Sequence, residues 1–403
     1  MIHSNKFITV INYIYLFLMI NYQLVVEYVT HIDSAGYFLL ALSLVVLLLN
    51  GRQIMDIQST KPVGFWLLWC IYVVINYYLH PVHVNELSFL RLIKSVFYPL
   101  LTMTITIKEF EDNPIGLIKL CVVTILTYTL LGFYFDRGIL FRIEGEDNVL
   151  GNAYAIITCF SLFYLTLLQR TKHINLVLFS VLVIVVLVML AMSGTRKAFG
   201  SGLIMLVFWM LSIMVIKKTK TWILTLFVAV GVYWGYDVLM KNTFIGLRME
   251  YYKEQQERNL PGDAPEFLKV LGDRSPHYYY GWKQFSKNPV FGVGLYQAQV
   301  ENGKETMVFY LHSEYMAQLA DNGIVGFAFF FAMYFWIGKH LLRKRKIDKQ
   351  LGLVMIGGFV MVLFLNFTAW SWSFPQYFLC LGVLIGYCQS GYDLETLQTN
   401  RRG

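Results

Sequence analysis

The sequence predicts an all-α polytopic membrane protein with about 12 transmembrane helices and one large, partly helical loop outside the membrane. Of its 403 residues, 57% are apolar and only 14% are charged, and the mean hydropathy is +0.54. Ordinary soluble domains carry about 25% charged residues. Many apolar runs also reach about 18 residues, a length that crosses a bilayer. Together these observations exclude a soluble globular protein.

Twelve apolar runs bounded by charged or turn residues define the predicted spans. In chain order they lie at 7–26, 35–50, 62–79, 91–108, 115–135, 151–169, 174–192, 197–216, 221–240, 313–338, 351–367 and 375–390. No small-residue cleavage site follows the first run, which therefore predicts a retained helix rather than a removed signal peptide. The predicted organisation is helices 1–9 within residues 1–240, the large loop at 241–312, and helices 10–12 with a cytoplasmic tail at 313–403.

The distribution of charge predicts which side each loop occupies. With both termini in the cytoplasm, the cytoplasmic segments hold seventeen cations and seven acids, whereas the other side holds fifteen cations and eighteen acids. This asymmetry follows the positive-inside rule. The basic clusters at 217–220 and 343–346 are then explained by topology and by contact with anionic lipid. The net charge of +8 therefore does not indicate nucleic-acid binding.

Cysteines and acidic residues give no sign of a disulfide framework, a metal centre or a cofactor site. The five cysteines lie in apolar stretches without paired spacing, so we expect core or lipid-facing thiols: Cys70, Cys121, Cys159, Cys380 and Cys388. The sequence contains no Asp-x-Asp pair. The cluster Glu144, Glu146 and Asp147 offers oxygen ligands for a hard cation, but a solvated loop is the favoured interpretation.

The predicted loop at 241–312 has seventy-two positions, and a loop of that length usually has a function or a structure of its own. The pattern predicts one helix at 247–258, a stop at the proline-rich stretch 261–265, and a second, amphipathic helix at 277–289. This second helix carries Trp282 and three consecutive tyrosines. It either lies at the membrane surface or over a cavity, or it anchors the loop as part of an aromatic belt.

The positive-inside rule disfavours cations at the outer ends of helices. Those that occur there are therefore candidate binding residues. Arg196 and Lys197 lie in the tight connection SGTRK at 193–197, between two long apolar spans. In the large loop, Arg248 begins the first predicted helix and Arg274 precedes the second. Arginine binds phosphate oxygens in a bidentate way. The alternatives are snorkelling to lipid phosphates for Arg196 and an ordinary solvated charge for each loop arginine.

His312 is the candidate general base. It ends the large loop and opens the next apolar span, and the N-terminus of a helix favours the neutral imidazole there. A neutral imidazole accepts a proton from a sugar hydroxyl near physiological pH. The alternative is a histidine that simply lies at the membrane interface.

Four motifs in order resemble those of a known family. They are RIEGEDNVLGN at 142–152, SGTRKAF at 193–199, GDRSPHYYYGWKQFSKNPVFGVGLYQ at 272–297 and HSEYMAQLADNGIVGF at 312–327. Together they resemble the bacterial O-antigen ligase and O-antigen polymerase superfamily, whose members are polytopic glycosyltransferases that use undecaprenyl diphosphate-linked glycans. The resemblance runs from about 140 to 340. It departs from the family pattern at Met316, where leucine is commoner, and at Asp273, which separates the loop glycine from Arg274.

The resemblance implies an inverting, metal-independent transfer of a glycan from undecaprenyl diphosphate to an acceptor hydroxyl on the periplasmic face. It implies catalytic roles for His312 and Arg274 and diphosphate binding by Arg196, Arg248, Arg274 and Lys197. Further substrate-binding candidates are Arg142, Asn152, Tyr315 and Trp282. Preorganised arginines stabilise the charge of a departing diphosphate, so these residue types suit the chemistry. No cofactor is expected.

The expected acceptor is lipid A-core for a ligase, or a second lipid-linked glycan for a polymerase, and the other expected partners are membrane lipids. The expected location is the bacterial inner membrane, with the active site facing the periplasm. The main alternative is a flippase that moves a lipid-linked glycan, and a non-catalytic scaffold for polysaccharide assembly is a third. The enzyme is favoured because a flippase needs charge along a path through the membrane centre, whereas the candidate cations cluster at outer helix ends and in one outer loop.

Overall fold

The computed structural model describes the chain as a set of long α-helices and one short hairpin. The described residues are 6–24, 35–58, 60–80, 89–135, 149–192, 195–215, 275–295, 299–302, 305–308, 311, 313–367 and 374–399. The helices are α1 (Lys6–Leu24), α2 (Ala35–Gln58), α3 (Lys61–Leu79), α4 (Phe89–Asp112), α5 (Pro114–Phe135), α6 (Val149–Arg170), α7 (Leu176–Met192), α8 (Arg196–Met214), α9 (Ser275–Lys287), α10 (Glu314–Ile347), α11 (Lys349–Asn366), α12 (Pro375–Gln389) and α13 (Leu394–Thr399).

The predicted spans correspond closely to these helices. Eleven of the twelve coincide with a helix, and the span predicted at 221–240 lies outside the described residues. Six described helices are long and apolar enough to cross a membrane, namely α2, α3, α5, α8, α10 and α11, while α1, α6 and α7 contain shorter apolar helical stretches. The chain is therefore a multi-pass membrane protein, and the count of about 12 spans stays a prediction.

The large loop contains both helix and strand. The amphipathic helix predicted at 277–289 is confirmed as α9, whereas the helix predicted at 247–258 lies outside the described residues. Strands β1 (Gln299–Asn302) and β2 (Glu305–Val308) form an antiparallel hairpin, which the all-α prediction missed. Four residues per strand are too few for an alternating pattern to show in the sequence.

Glycines let several helices pack closely. A Cβ atom added to Gly357 of α11 would lie 2.5 Å from Phe208 of α8, and one added to Gly382 of α12 would lie 2.6 Å from Thr106 of α4. Small residues at such contacts let membrane helices approach each other without a hydrophobic driving force between them.

One end of the bundle is marked by the amphipathic helix α9, and we call it the loop end. There the Tyr278 hydroxyl of α9 donates a hydrogen bond to the carbonyl of Phe367, just after α11, at 2.7 Å. The Tyr315 hydroxyl in the first turn of α10 donates to the carbonyl of Leu363 at 3.1 Å. The start of α10 and the finish of α11 therefore meet beneath α9.

The opposite end, which we call the tail end, is closed by α13. Asp348 caps α11 by accepting hydrogen bonds from the backbone N–H groups of Gln350 and Leu351, both at 3.0 Å. Its other oxygen accepts a hydrogen bond from the N–H of Leu394 at 2.7 Å, so one carboxylate joins two helix starts. Carboxylates are favourable at both positions because helix N-termini carry partial positive charge.

A buried polar cluster joins α1, α2 and α4 inside the bundle. Asn12 and Asn50 exchange amide hydrogen bonds, and Asn12 also donates to Glu109 at 2.6 Å. Lys108 forms an ion pair with the same carboxylate at 3.0 Å, and the two charged side chains are 7% and 0% exposed. Buried charges of this kind require partners, so the cluster fixes how these three helices fit together.

The outward face of the bundle is apolar. Large side chains such as Leu48, Val177 and Phe335 are more than 70% exposed, which suits contact with lipid rather than water. The five cysteines are free and buried, as the sequence predicts.

Candidate functional site

The predicted site residues fall into two groups. The structure describes Asn152 and Arg196 by their place in a helix, and it describes Lys197, Trp282 and Tyr315 with their side chains. Four predicted residues lie outside the described part of the chain, namely Arg142, Arg248, Arg274 and His312. Their roles stay predictions.

The first turn of α8 places two cations at the loop end. Thr195 precedes the helix in an extended conformation, Arg196 is its first residue, and Lys197 is half-buried. A Cβ atom added to Gly200, one turn further on, would lie 3.4 Å from the ring of Phe364 in α11. The start of α8 therefore lies beside the last turns of α11, and its helix N-terminus favours an anion.

A line of buried polar side chains runs along the first part of α10. Glu314, Gln318 and Asn322 are spaced four residues apart and are each at most 1% exposed. The Gln318 amide donates to Glu314 at 2.8 Å, and Asn322 donates to the Gln318 oxygen at 2.9 Å. Residues at this spacing lie on one face of a helix, so α10 turns a polar face inward as it enters the bundle.

Helix α3 supplies the partners for this polar face. The indole N–H of Trp69 donates to the Gln318 oxygen at 2.9 Å, and the Asn76 amide donates to the Asn322 oxygen at 3.2 Å. The chain from Glu314 to Asn76 is thus a continuous hydrogen-bonded network between two helices. Buried networks of this kind rigidify the elements that carry them.

Helix α10 is interrupted at Gly323, and the loop segment 289–294 fills the interruption. Gly323 has φ 63° and ψ −168°, a conformation in which the helical ladder cannot continue. Four backbone hydrogen bonds of 2.8–3.2 Å join the segment to the two sides of the break: Val293 N–H to Ala320, Gly294 N–H to Asp321, Ile324 N–H to Pro289 and Val325 N–H to Val290. Backbone groups freed at membrane depth require such partners.

The side chains of α3 also reach this junction. The Tyr72 hydroxyl lies 2.8 Å from the carbonyl of Asn322 and 3.0 Å from that of Phe291. The Asn76 amide lies 3.2 Å from the carbonyl of Asp321. The loop segment, the break in α10 and the last turns of α3 therefore form one unit, which fixes the start of α10.

Two predicted aromatic residues have different environments. Tyr315 is half-buried, stacks on Phe331 with ring centroids 4.9 Å apart, and donates its hydroxyl proton to α11. Trp282 is 56% exposed on α9, with its ring centroid 5.4 Å from that of Phe285. An exposed tryptophan on an amphipathic helix suits a membrane interface.

Sequence reasoning missed the buried network. Glu314, Gln318, Asn322, Trp69 and Asn76 were not among the predicted site residues. A signal for three of them exists, because polar residues four positions apart in an apolar span indicate one inward-facing stripe. The contribution of α3 carries no local signal, since it depends on which helix packs against α10.

The described residues contain no group of three or more His, Cys, Asp or Glu side chains that would hold a metal ion. The start of α8 at the loop end instead carries positive charge, and the buried polar side chains along α10 hydrogen-bond to one another and to α3. The cations at this helix N-terminus suit an anionic ligand.

Comparison with known proteins identifies part of this region. Residues 181–331 match the family model described as O-Antigen ligase. The matched residues include α8, α9, the segment 289–294 and the first part of α10, which are elements that build the loop end. A search of curated proteins finds no match to the chain.

Proposed function

We propose that the protein is a membrane glycosyltransferase of O-antigen or surface-polysaccharide assembly, because residues 181–331 match the O-antigen ligase family model. The proposed donor is a glycan linked to undecaprenyl diphosphate. The proposed acceptor is a hydroxyl of lipid A-core, in a ligase, or of a second lipid-linked glycan, in a polymerase. The proposed location is the bacterial inner membrane, with the loop end toward the periplasm.

The observation that carries the proposal is the junction at the loop end. The segment 289–294 pairs through its backbone with the break in α10, so two separate family motifs form one structural unit. That unit fixes the first turn of α10, directly after His312. The start of α8, with Arg196 and Lys197, lies at the same end beside α11.

The proposed reaction is a single displacement at the anomeric carbon of the donor glycan. The acceptor oxygen forms the new bond to this carbon as the bond to the diphosphate oxygen breaks. His312 takes the proton from the acceptor hydroxyl, and undecaprenyl diphosphate leaves with the bonding electron pair. Attack from the face opposite the leaving group inverts the anomeric configuration.

Positive side chains stabilise the departing diphosphate in this mechanism. Arg196 and Lys197 occupy a helix N-terminus, where the helix dipole adds to their charge. Arg248 and Arg274 from the large loop are proposed to complete the diphosphate site. Charge stabilisation by side chains requires no metal ion, so we expect the proposed transfer to proceed in the presence of a chelator.

The remaining predicted residues are proposed to contact the substrates. Arg142 and Asn152 precede or begin α6, where the family resemblance places a polar loop. Trp282, on the exposed face of α9, is proposed to contact the lipid interface beside the donor. Tyr315 is proposed to contact the substrate through its ring, because its hydroxyl already donates a hydrogen bond to a backbone carbonyl of α11.

The test is transfer by purified protein in liposomes. The donor is an undecaprenyl diphosphate-linked repeat unit, supplied with or without lipid A-core, in the presence of a metal chelator. Glycan that lengthens without core identifies a polymerase, and glycan joined to core only when core is supplied identifies a ligase. If neither product forms while the lipid-linked glycan crosses the vesicle membrane, the protein is a flippase and the proposal is wrong.

Variants connect the activity with the proposed site. We expect His312→Ala and Arg274→Ala to reduce transfer by at least 100-fold, since a base or a charge-stabilising donor contributes about 10²–10³. Arg52→Ala is the matched control, because Arg52 is an exposed cation of α2 outside the proposed site. Normal transfer by either site variant would contradict its assigned role.

A further inference from the structure

Two buried polar side chains at the loop end have no hydrogen-bond partner among the described residues. Asn366, the last residue of α11, is 0% exposed, and both its amide nitrogen and its amide oxygen lack a partner there. Ser313, which precedes α10, is 1% exposed, and its hydroxyl likewise lacks a partner there. Buried polar atoms almost always have partners, so these three atoms require an explanation.

The two side chains belong to neighbouring turns. Tyr315, two residues after Ser313, donates its hydroxyl to Leu363, three residues before Asn366. The ring centroids of Tyr315 and Phe367 are 5.9 Å apart. The start of α10 and the last turn of α11 are therefore packed together, and each of these two turns carries one of the two side chains.

Ser313 is also unusual for its position. It stands directly before a helix, where a serine hydroxyl ordinarily accepts a hydrogen bond from a backbone N–H group of the first turn. Here the side chain makes no such capping bond. Within the part of the chain that the structure describes, its hydroxyl is therefore without a partner, whereas Glu314 and Gln318 hydrogen-bond to each other.

We propose that Asn366 and Ser313 form a binding site for hydroxyl groups of the glycan, a role that rests on the proposed glycosyltransferase function. An uncharged amide presents donors and an acceptor side by side, which matches adjacent hydroxyls of a sugar ring. A diphosphate, in contrast, selects cations, and these lie at the start of α8. The site therefore recognises sugar hydroxyls and not the lipid diphosphate.

This role predicts opposite effects on stability and on binding. Leucine has nearly the shape of asparagine, and replacing a buried polar group that has no partner by an apolar group of the same shape is neutral or stabilising. We expect Asn366→Leu to melt at or above the wild-type temperature. We expect it to bind the glycan-linked lipid about 10-fold more weakly, the loss of one or two hydrogen bonds.

Asn50→Leu is the matched control for stability. Asn50 is also a buried helical asparagine, but its amide donates to Asn12 and to the carbonyl of Val46, and its oxygen accepts from Asn12. We expect this variant to melt at a lower temperature than the wild-type protein. Ser313→Ala provides a second test of binding, with an expected loss of about 5-fold and an unchanged melting temperature.

The experiment measures melting and binding of the full-length protein in detergent with two probes. One probe is undecaprenyl diphosphate, and the other is the same lipid carrying its repeat-unit glycan. Support for the site is a loss of affinity in Asn366→Leu for the glycan-linked lipid alone. Equal affinities of variant and wild-type protein for this probe would overturn the inference, as would a fall in melting temperature as large as that of Asn50→Leu.

Binding and transfer are measured separately, so the two proposals fail separately. Wild-type protein that prefers the glycan-linked lipid but transfers nothing contradicts the glycosyltransferase, and the comparison of variants still decides the binding site. Wild-type protein that binds both probes equally overturns the binding site, even where transfer is observed.

Discussion

Replacement of Gly323 by alanine tests whether the break in α10 holds the loop end together. The glycine has φ 63° and ψ −168°, a region that is essentially restricted to glycine. A Cβ atom added there would lie 2.3 Å from the carbonyl oxygen of Val290 and 2.6 Å from the nitrogen of Gly292. Both are backbone atoms, so no side-chain rotation relieves the overlap.

The expected loss of unfolding free energy in Gly323→Ala comes from two sources. The backbone conformation alone costs an alanine about 1–3 kcal/mol. The added Cβ atom also displaces segment 289–294. This displacement stretches the backbone hydrogen bonds that Ile324 and Val325 donate to the segment, each of which contributes about 1 kcal/mol. The sum is about 3–5 kcal/mol, and we expect Gly323→Ala to lower the melting temperature by about 4–6 °C for a chain of 403 residues.

The assay uses the five buried, free cysteines. A thiol-reactive fluorescent dye labels them as the protein unfolds, which gives a melting curve in detergent. Gly51→Ala is the matched control, because a Cβ atom there meets nothing within 4 Å, and alanine within a helix is neutral or stabilising. If Gly323→Ala melts within 1 °C of Gly51→Ala, the junction does not carry the stability assigned to it here.

A double variant checks that the two glycines belong to one junction. A Cβ atom on Gly292, which has φ 74°, would lie 2.3 Å from the carbonyl oxygen of Asp321. Either alanine alone is expected to separate the segment from the break. The second replacement then finds the contact already lost, so the cost of Gly292→Ala with Gly323→Ala should be less than the sum of the two single costs.

Three further substitutions test other parts of the bundle. Glu109→Ala removes the 3.0 Å ion pair with Lys108 and the acceptor of the Asn12 amide, and it leaves Lys108 with its longer pair to Asp112 at 3.4 Å. We expect a loss of about 1–3 kcal/mol of stability, measured by thermal melting. A loss below about 0.5 kcal/mol would show that the cluster does not join the helices. Asp348→Ala removes the two hydrogen bonds that cap α11 and the one that holds α13. We expect a loss of about 1–2 kcal/mol of stability and faster proteolysis of residues after 390. Unchanged cleavage would contradict this role. Trp69→Phe removes one of the two hydrogen bonds that the Gln318 oxygen accepts. We expect a loss of about 1 kcal/mol of stability, and an unchanged melting temperature would contradict this.

The helices were predictable because lipid offers no hydrogen-bond partners to the N–H and C=O groups of the backbone. An apolar run of bilayer length satisfies its own N–H and C=O groups only as a helix, and the described runs are helical apart from the break in α10 at Gly323. The helix limits were less predictable from hydropathy. Helix α2 continues to Gln58 beyond the predicted 50, and α10 continues to Ile347 beyond the predicted 338. Lysine and arginine are good helix formers, so a basic cluster ends an apolar run without ending the helix.

The interior of the site was predictable only in part. The motif around Gly323 was found from the sequence, but its break was not, because glycine within an apolar helix is common and signals no particular conformation. The break follows from a tertiary contact with segment 289–294, some thirty residues earlier in the chain. The same limit applies to Asn366, which is one asparagine in an apolar run until its burial is known.

The break also explains how one helix serves two environments. Residues 314–322 turn Glu314, Gln318 and Asn322 inward against α3, whereas Ile324 and Phe335 beyond the break are 56% and 75% exposed, as lipid-facing residues are. Without the break, the carbonyl groups of Ala320 and Asp321 would continue the helical ladder and leave segment 289–294 without donors and acceptors. The segment would then lose its attachment to α10. The break thus couples α10 to the segment 289–294, and in the proposed function this coupling brings two of the motifs that resemble the family to one site.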